Sequence, residues 1–169
     1  MNITVTQGNL ADQSAAALVV SHFEGQTNPS GATKAIDDKL GNAIRALIAS
    51  GDFKGKLNEV AVLYPRGEIL STRVIIIGLG RQEDFNLDRA RQVAGAAAAK
   101  AVALGCRSVA SEVHGAKTLD HKDAARAVAE GTELGAYNFV EYKSKKLAQL
   151  ECTQDSRGAI FLEKEADNL

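Results

Sequence analysis

Gly78 and Gly80, with Leu79 between them, follow the most aliphatic run in the chain, Val74-Ile75-Ile76-Ile77, and precede a helical pattern. A strand, a glycine turn and a helix in that order can rest a dinucleotide pyrophosphate on backbone N–H groups, provided a third glycine comes three residues after the second. Glu83 stands there instead, and its carboxylate would repel a pyrophosphate. The two glycines therefore read as a tight turn leaving a buried strand. Neither GxxxxGKS nor GxxxxGKT, the phosphate-cradling loop, occurs.

The three histidines are His22, His114 and His121. A zinc-binding HExxH helix needs two of them four residues apart, and no such pair exists. His114 and His121 are two helical turns apart, but glycine and strand-like residues surround His114, so both read as structural or surface groups. Ser21 and His22 are adjacent, which is not a catalytic arrangement: a base must reach the hydroxyl while a third group orients it. Asp37 and Asp38 point in different directions on a helix, do not converge on one metal, and read as a solvated face. Glu163-Lys164-Glu165 offers further carboxylates without a partner pattern. Lys143, Lys145 and Lys146, with Tyr137, Phe139 and Tyr142 nearby, combine cations and rings as single-stranded nucleic acid requires. A solvated helix end is the competing reading. Cys106 and Cys152 stand far apart with no CxxC spacing, as expected of two reduced thiols in a cytosolic protein.

The elements that would position these groups belong to one soluble domain. A length of 169 residues suffices for one core, and 24% charged residues is ordinary for a globular chain. Aromatic residues are only 5% and Trp is absent, so the core must rest on Val, Ile, Leu and Ala. A net charge of −1 creates no strong field toward nucleic acid or anionic membranes. The N-terminus shows no basic stretch leading into an apolar run, and the aliphatic run at 74–77 is too short to span a membrane.

Ile3 and Val5 alternate with polar residues and predict a half-buried strand. The apolar run 15–20 predicts a buried one, followed by a turn-rich loop over 25–31. Ile36, Leu40, Ile44, Leu47 and Ile48 line one helical face, with Gly41 a possible interruption. Val60, Val62 and Tyr64 alternate as a strand. The run 73–77 predicts a central strand covered on both faces. Asn86 is placed to cap a long helix with Asp88 in its first turn and Gly105 at its end. Residues 108–113 predict another strand. A helix starting near Asp120 runs to about Tyr137, with Gly131 and Gly135 on one face for a close backbone contact. Residues 147–152 predict a last strand, and 163–169 form a polar, acidic tail. The alternation argues for a mixed sheet with helices on both faces.

Three segments together resemble a known family. They are Gly51-Asp52-Phe53-Lys54-Gly55-Lys56, then Val74-Ile75-Ile76-Ile77-Gly78-Leu79-Gly80, then Glu130-Gly131-Thr132-Glu133-Leu134-Gly135-Ala136-Tyr137-Asn138-Phe139 running on to Tyr142-Lys143-Ser144-Lys145. In this order and spacing they resemble the N-terminal domain of leucyl aminopeptidases, the cytosol aminopeptidase family of metallopeptidases (peptidase family M17). The resemblance extends from the first strand to about Cys152. It implies an α/β, macro-like three-layer α/β/α domain with a mixed, mostly parallel central sheet. It also implies a parent chain whose C-terminal domain holds two divalent metal ions, zinc or manganese, and the catalytic residues. That domain's Asn-Thr-Asp-Ala-Glu-Gly-Arg signature does not occur in this sequence. No residue is therefore assigned as catalytic, cofactor-binding or metal-ligating.

The domain is expected to span 1–155, with 156–169 opening the connection to the catalytic domain. The expected role is non-catalytic: packing on that domain and supporting a hexameric, cytoplasmic enzyme that removes N-terminal residues from peptides. This segment alone is expected to be inactive, with nucleic acid and membrane unfavoured as partners. Two alternatives stand beside it. One is a macro-like module for a nucleotide or ADP-ribose. The stretches matching that fold's ligand loops are Gly8-Asn9-Leu10, Ser21-His22-Phe23 and Ser30-Gly31-Ala32. Asn9 replaces the acidic adenine contact, the Asn-rich stretch is missing and the glycine loop keeps one Gly, all of which count against ADP-ribose. The other alternative is a DNA-binding domain, which the net charge disfavours.

Overall fold

The computed structural model describes residues 2–6, 8–115, 118–137, 151–154 and 159–163. In chain order its elements are β1 (Asn2–Thr6), a 3-10 turn at Leu10–Asp12, β2 (Ala17–His22), α1 (Gly31–Lys39), α2 (Ala43–Ser50), β3 (Val60–Leu63), β4 (Val74–Gly78), a 3-10 turn at Gln82–Asp84, α3 (Leu87–Ala103), β5 (Val109–Glu112), α4 (His121–Ala136), β6 (Glu151–Gln154) and β7 (Ala159–Glu163). The sheet order is β1-β7-β5-β2-β4-β3, with β6 also pairing β7. Strands β5, β2 and β4 are parallel, and β3 runs antiparallel to β4. The fold is thus the mixed α/β/α architecture expected.

Period-two alternation explains how two central strands serve two cores. Ala17, Val19, Ile75 and Ile77 face α3 and α4, packing against Ala90, Val93, Ala94, Ala97, Ala127 and Val128. Leu18, Val20, Val74 and Ile76 face the other way, onto Ile36 of α1, Ile44 of α2 and Phe53. All five residues of β4 are buried, as a strand clad on both sides must be. Phe53, at 1% exposure, closes the second core, and burying a ring of that size is worth about 3 kcal/mol.

The expected single helix over 36–48 is two helices. Gly41 and Asn42 both adopt left-handed backbone, at φ 62° and 66°, and end α1. Asp37 then restarts the path. Its Oδ1 accepts from the N–H groups of Ile44 at 2.8 Å and Arg45 at 3.1 Å, capping α2 from the preceding helix. Asp37 is fully buried, which corrects the expectation of a solvated face; Asp38 is exposed and pairs with Lys34.

Asn86 caps α3 through Arg89 N–H at 3.0 Å, and Asp120 caps α4 through the N–H groups of Lys122 and Asp123. The two helices meet backbone to backbone. A Cβ on Gly131 would lie 2.2 Å from the Arg91 carbonyl oxygen, and one on Gly135 2.2 Å from that of Gly95. Arg91 and Arg126 both pair with Glu130 beside this contact. The expected last strand overlaps β6 at residues 151 and 152, while 147–150 lie outside the described residues. Strand β7, within the stretch leading to the polar tail, is an addition that no expectation covered.

Candidate functional site

The chain leaves β2 toward α1 on one face of the sheet, and leaves the neighbouring β5 toward α4 on the other. Adjacent parallel strands whose connections depart to opposite faces leave a crevice at their C-terminal ends, where α/β folds place ligands. A cleft of about 320 Å³ opens here. That is within the size range of small-molecule sites. Ser21, His22, Phe23 and Gln26 form its β2 wall, and Ser30, Gly31 and Ala32 its α1 edge. Glu112, Val113 and Gly115 follow from β5, and Thr118 and His121 from the approach to α4.

The ladder between β2 and β5 stops at Val19 and Ser111. Beyond it the Ser21 N–H is taken by a side chain instead, donating to Glu112 Oε1 at 2.8 Å. The Ser21 hydroxyl donates to the same oxygen at 2.6 Å. Thr33, in the first turn of α1, donates its hydroxyl to the Ser21 carbonyl at 2.7 Å and stands 3.4 Å from the same Glu112 oxygen. Glu112 therefore ties β5, β2 and α1 together from the cleft wall, through charge-assisted bonds stronger than those of a neutral acceptor.

The other side of the β2 end is closed by backbone. Leu79 N–H donates to the His22 carbonyl and Glu24 N–H to that of Gly80, both at 2.9 Å. Gly80 N–H reaches the Gly55 carbonyl at 2.9 Å, and Gly78 N–H that of Glu59 at 2.8 Å. The approach leaves no room for side chains. A Cβ on Gly78 would lie 2.0 Å from the Lys56 carbonyl oxygen, and one on Gly55 2.9 Å from the Phe23 carbonyl carbon. The Glu59 carboxylate accepts from the N–H groups of Lys54 and Lys56 and holds the loop in place.

The candidate groups fall apart under this geometry. Ser21 donates to a carboxylate, while His22 donates Nε2–H to the Gln26 carbonyl at 2.8 Å, so the imidazole does not activate the hydroxyl. Burial holds the His22 pKa below its ordinary value, only partly offset by that hydrogen bond. His114 and His121 do not converge either. His114 is buried beside a void of about 10 Å³ that Ser111 and Thr132 also line, room for one water at most. Its Nδ1 has no partner among the described residues, and burial lowers its pKa to about 4. His121 is exposed at the start of α4, on the cleft rim.

Gly78-Leu79-Gly80 is the tight turn expected, and Glu83 is exposed in the 3-10 turn after it. Helix α3 begins only at Leu87, already capped by Asn86 and with Asp88 in its first turn. Cys106 is buried and free, and burial raises its thiol pKa, the mark of an unreactive cysteine. Asn138, Phe139, Tyr142, Lys143, Ser144, Lys145, Lys146, Lys164 and Glu165 lie outside the described residues. Among the described residues no three His, Cys, Asp or Glu side chains come together as a metal ion needs, so this donor set does not fit the metals that the family resemblance implies. None of the described helices is long and apolar enough to cross a membrane.

Residues 19–146 match the cytosol aminopeptidase family, N-terminal domain. The chain belongs to the cytosol aminopeptidase family. It is 37% identical over 139 residues to a probable cytosol aminopeptidase of Geotalea uraniireducens (strain Rf4), covering 79% of this chain and 26% of that protein. The chain thus spans about a quarter of the curated relative's length. A tomato leucine aminopeptidase mutant superposes with a TM-score of 0.70 at 19% identity, covering 85% of this chain and 29% of that one. The macrodomain of Mycobacterium tuberculosis DarG gives 0.63 at 15% identity, covering 77% and 89%. The last two establish the shared macro-like fold.

The three cytosol aminopeptidase segments now have structural explanations. Residues 51–56 carry Phe53 into the core and lay Gly55 on the β2 end. Residues 74–80 are the doubly clad strand and its stitched turn. Residues 130–137 supply the glycines that admit α3. The stretches matched to macro ligand loops divide differently. Ser21, His22, Phe23, Ser30, Gly31 and Ala32 do line the cleft. Asn9 instead caps the 3-10 turn at Leu10–Asp12 through Ala11 N–H, and is not among the cleft residues. Glu112 and Thr33 escaped the sequence reading. A carboxylate at the C-terminal end of a buried strand was the available signal, and only the strand order makes it meaningful.

Proposed function

We propose that this chain acts as the non-catalytic N-terminal domain of a metal-dependent aminopeptidase, packing on a catalytic domain that carries two zinc or manganese ions. The observation that carries this reading is the family match over residues 19–146 in a chain spanning a quarter of its relative's length. The local chemistry agrees with it: the segments shared with the family serve backbone packing, and Ser21 and His22 form no nucleophile–base pair. In this reading the domain spans 1–155, 156–169 lead toward the catalytic domain, and no residue of the segment is catalytic, cofactor-binding or metal-ligating. The parent works in the cytoplasm as a hexamer on peptide N-termini, without nucleic acid or membrane partners. Exposed Leu134 and Tyr137, three residues apart at the end of α4, offer an apolar spot for interdomain contact.

The test is hydrolysis of leucine p-nitroanilide by the 169-residue chain with added Mn²⁺ or Zn²⁺, beside a full-length relative. The expected result is turnover by the relative and none by the chain. Metal-dependent turnover by the chain alone would overturn the reading.

A further inference from the structure

We draw no further inference here: the strongest candidate, the outer edge of β3 with the exposed Tyr64 that follows it and the exposed Leu70 of the β3–β4 connection, is an apolar surface for which nothing among the described residues shows what covers it.

Discussion

Strand β2 ends with a closed side and an open one. Toward β4 its terminus is stitched by backbone hydrogen bonds that run among residues 22–24, 55–59 and 78–80, with glycines where backbones touch. Toward β5 the ladder stops two residues before Ser21, a carboxylate takes over, and a cleft opens. The closed side holds two of the three segments that mark the family. The open side holds the polar groups able to meet a ligand, and no family segment announces it. The glycine-bearing family segments here report close packing of backbones, although Leu79 of the second segment also lines the cleft.

The most severe way to break the contrast is Gly78→Ala. The new methyl would meet the Lys56 carbonyl, which is backbone and cannot yield cheaply. A loss of about 3 kcal/mol or outright failure to fold is expected in urea denaturation. Gly131→Ala should be comparably damaging through the Arg91 carbonyl, and tests whether the α3–α4 contact is as unforgiving as the stitched turn.

A pH titration of stability comes next. The folded chain holds His114 at a pKa of about 4 against 6.5 unfolded. As pH falls the unfolded chain binds the proton first, so this contribution is complete above 6.5 and is lost as pH drops toward about 4. The loss should approach about 3 kcal/mol. His22, lowered in the same direction, adds to the slope. Replacing His114 with Leu should flatten the curve; an unchanged slope would show that His114 does not titrate as a buried neutral group.

Smaller effects sharpen the open side. Glu112→Gln should cost about 1 kcal/mol, because the amide oxygen still accepts from Ser21 without the charge. A loss as large as that of Gly78→Ala would make Glu112 a structural keystone of the fold. Glu83→Gly would complete a GxGxxG pattern, yet should change stability by less than about 0.5 kcal/mol and create no NAD binding in calorimetry. The turn's backbone is consumed by the β2 and β3 sides, and α3 starts too late to meet a pyrophosphate.

Much of the scaffold was legible because its signals are local. Unbroken β-branched residues at 74–77, caps at Asn86 and Asp120, and glycines four apart at 131 and 135 each state a backbone requirement within a few residues. The failures share the opposite property. Asp37 looks like any exposed helical carboxylate until α2 folds back and presents two N–H groups to it. The split between α1 and α2 needed two successive left-handed residues, of which only Gly41 was suggestive. Strand β7 draws its partners, β1 and β5, from regions distant along the chain.

By itself, the sequence determined the α/β class, the doubly covered strand, the family and the segments where backbones must touch. Periodicity, capping and glycine placement are enforced locally by sterics and hydrogen bonding. Only the tertiary structure decided that β2 and β5 are neighbours whose chains depart to opposite faces, and hence that a cleft exists. It alone brought Glu112 to Ser21, 91 residues away. Strand order is a property of long-range pairing, and no residue type announces a partner that far along the chain.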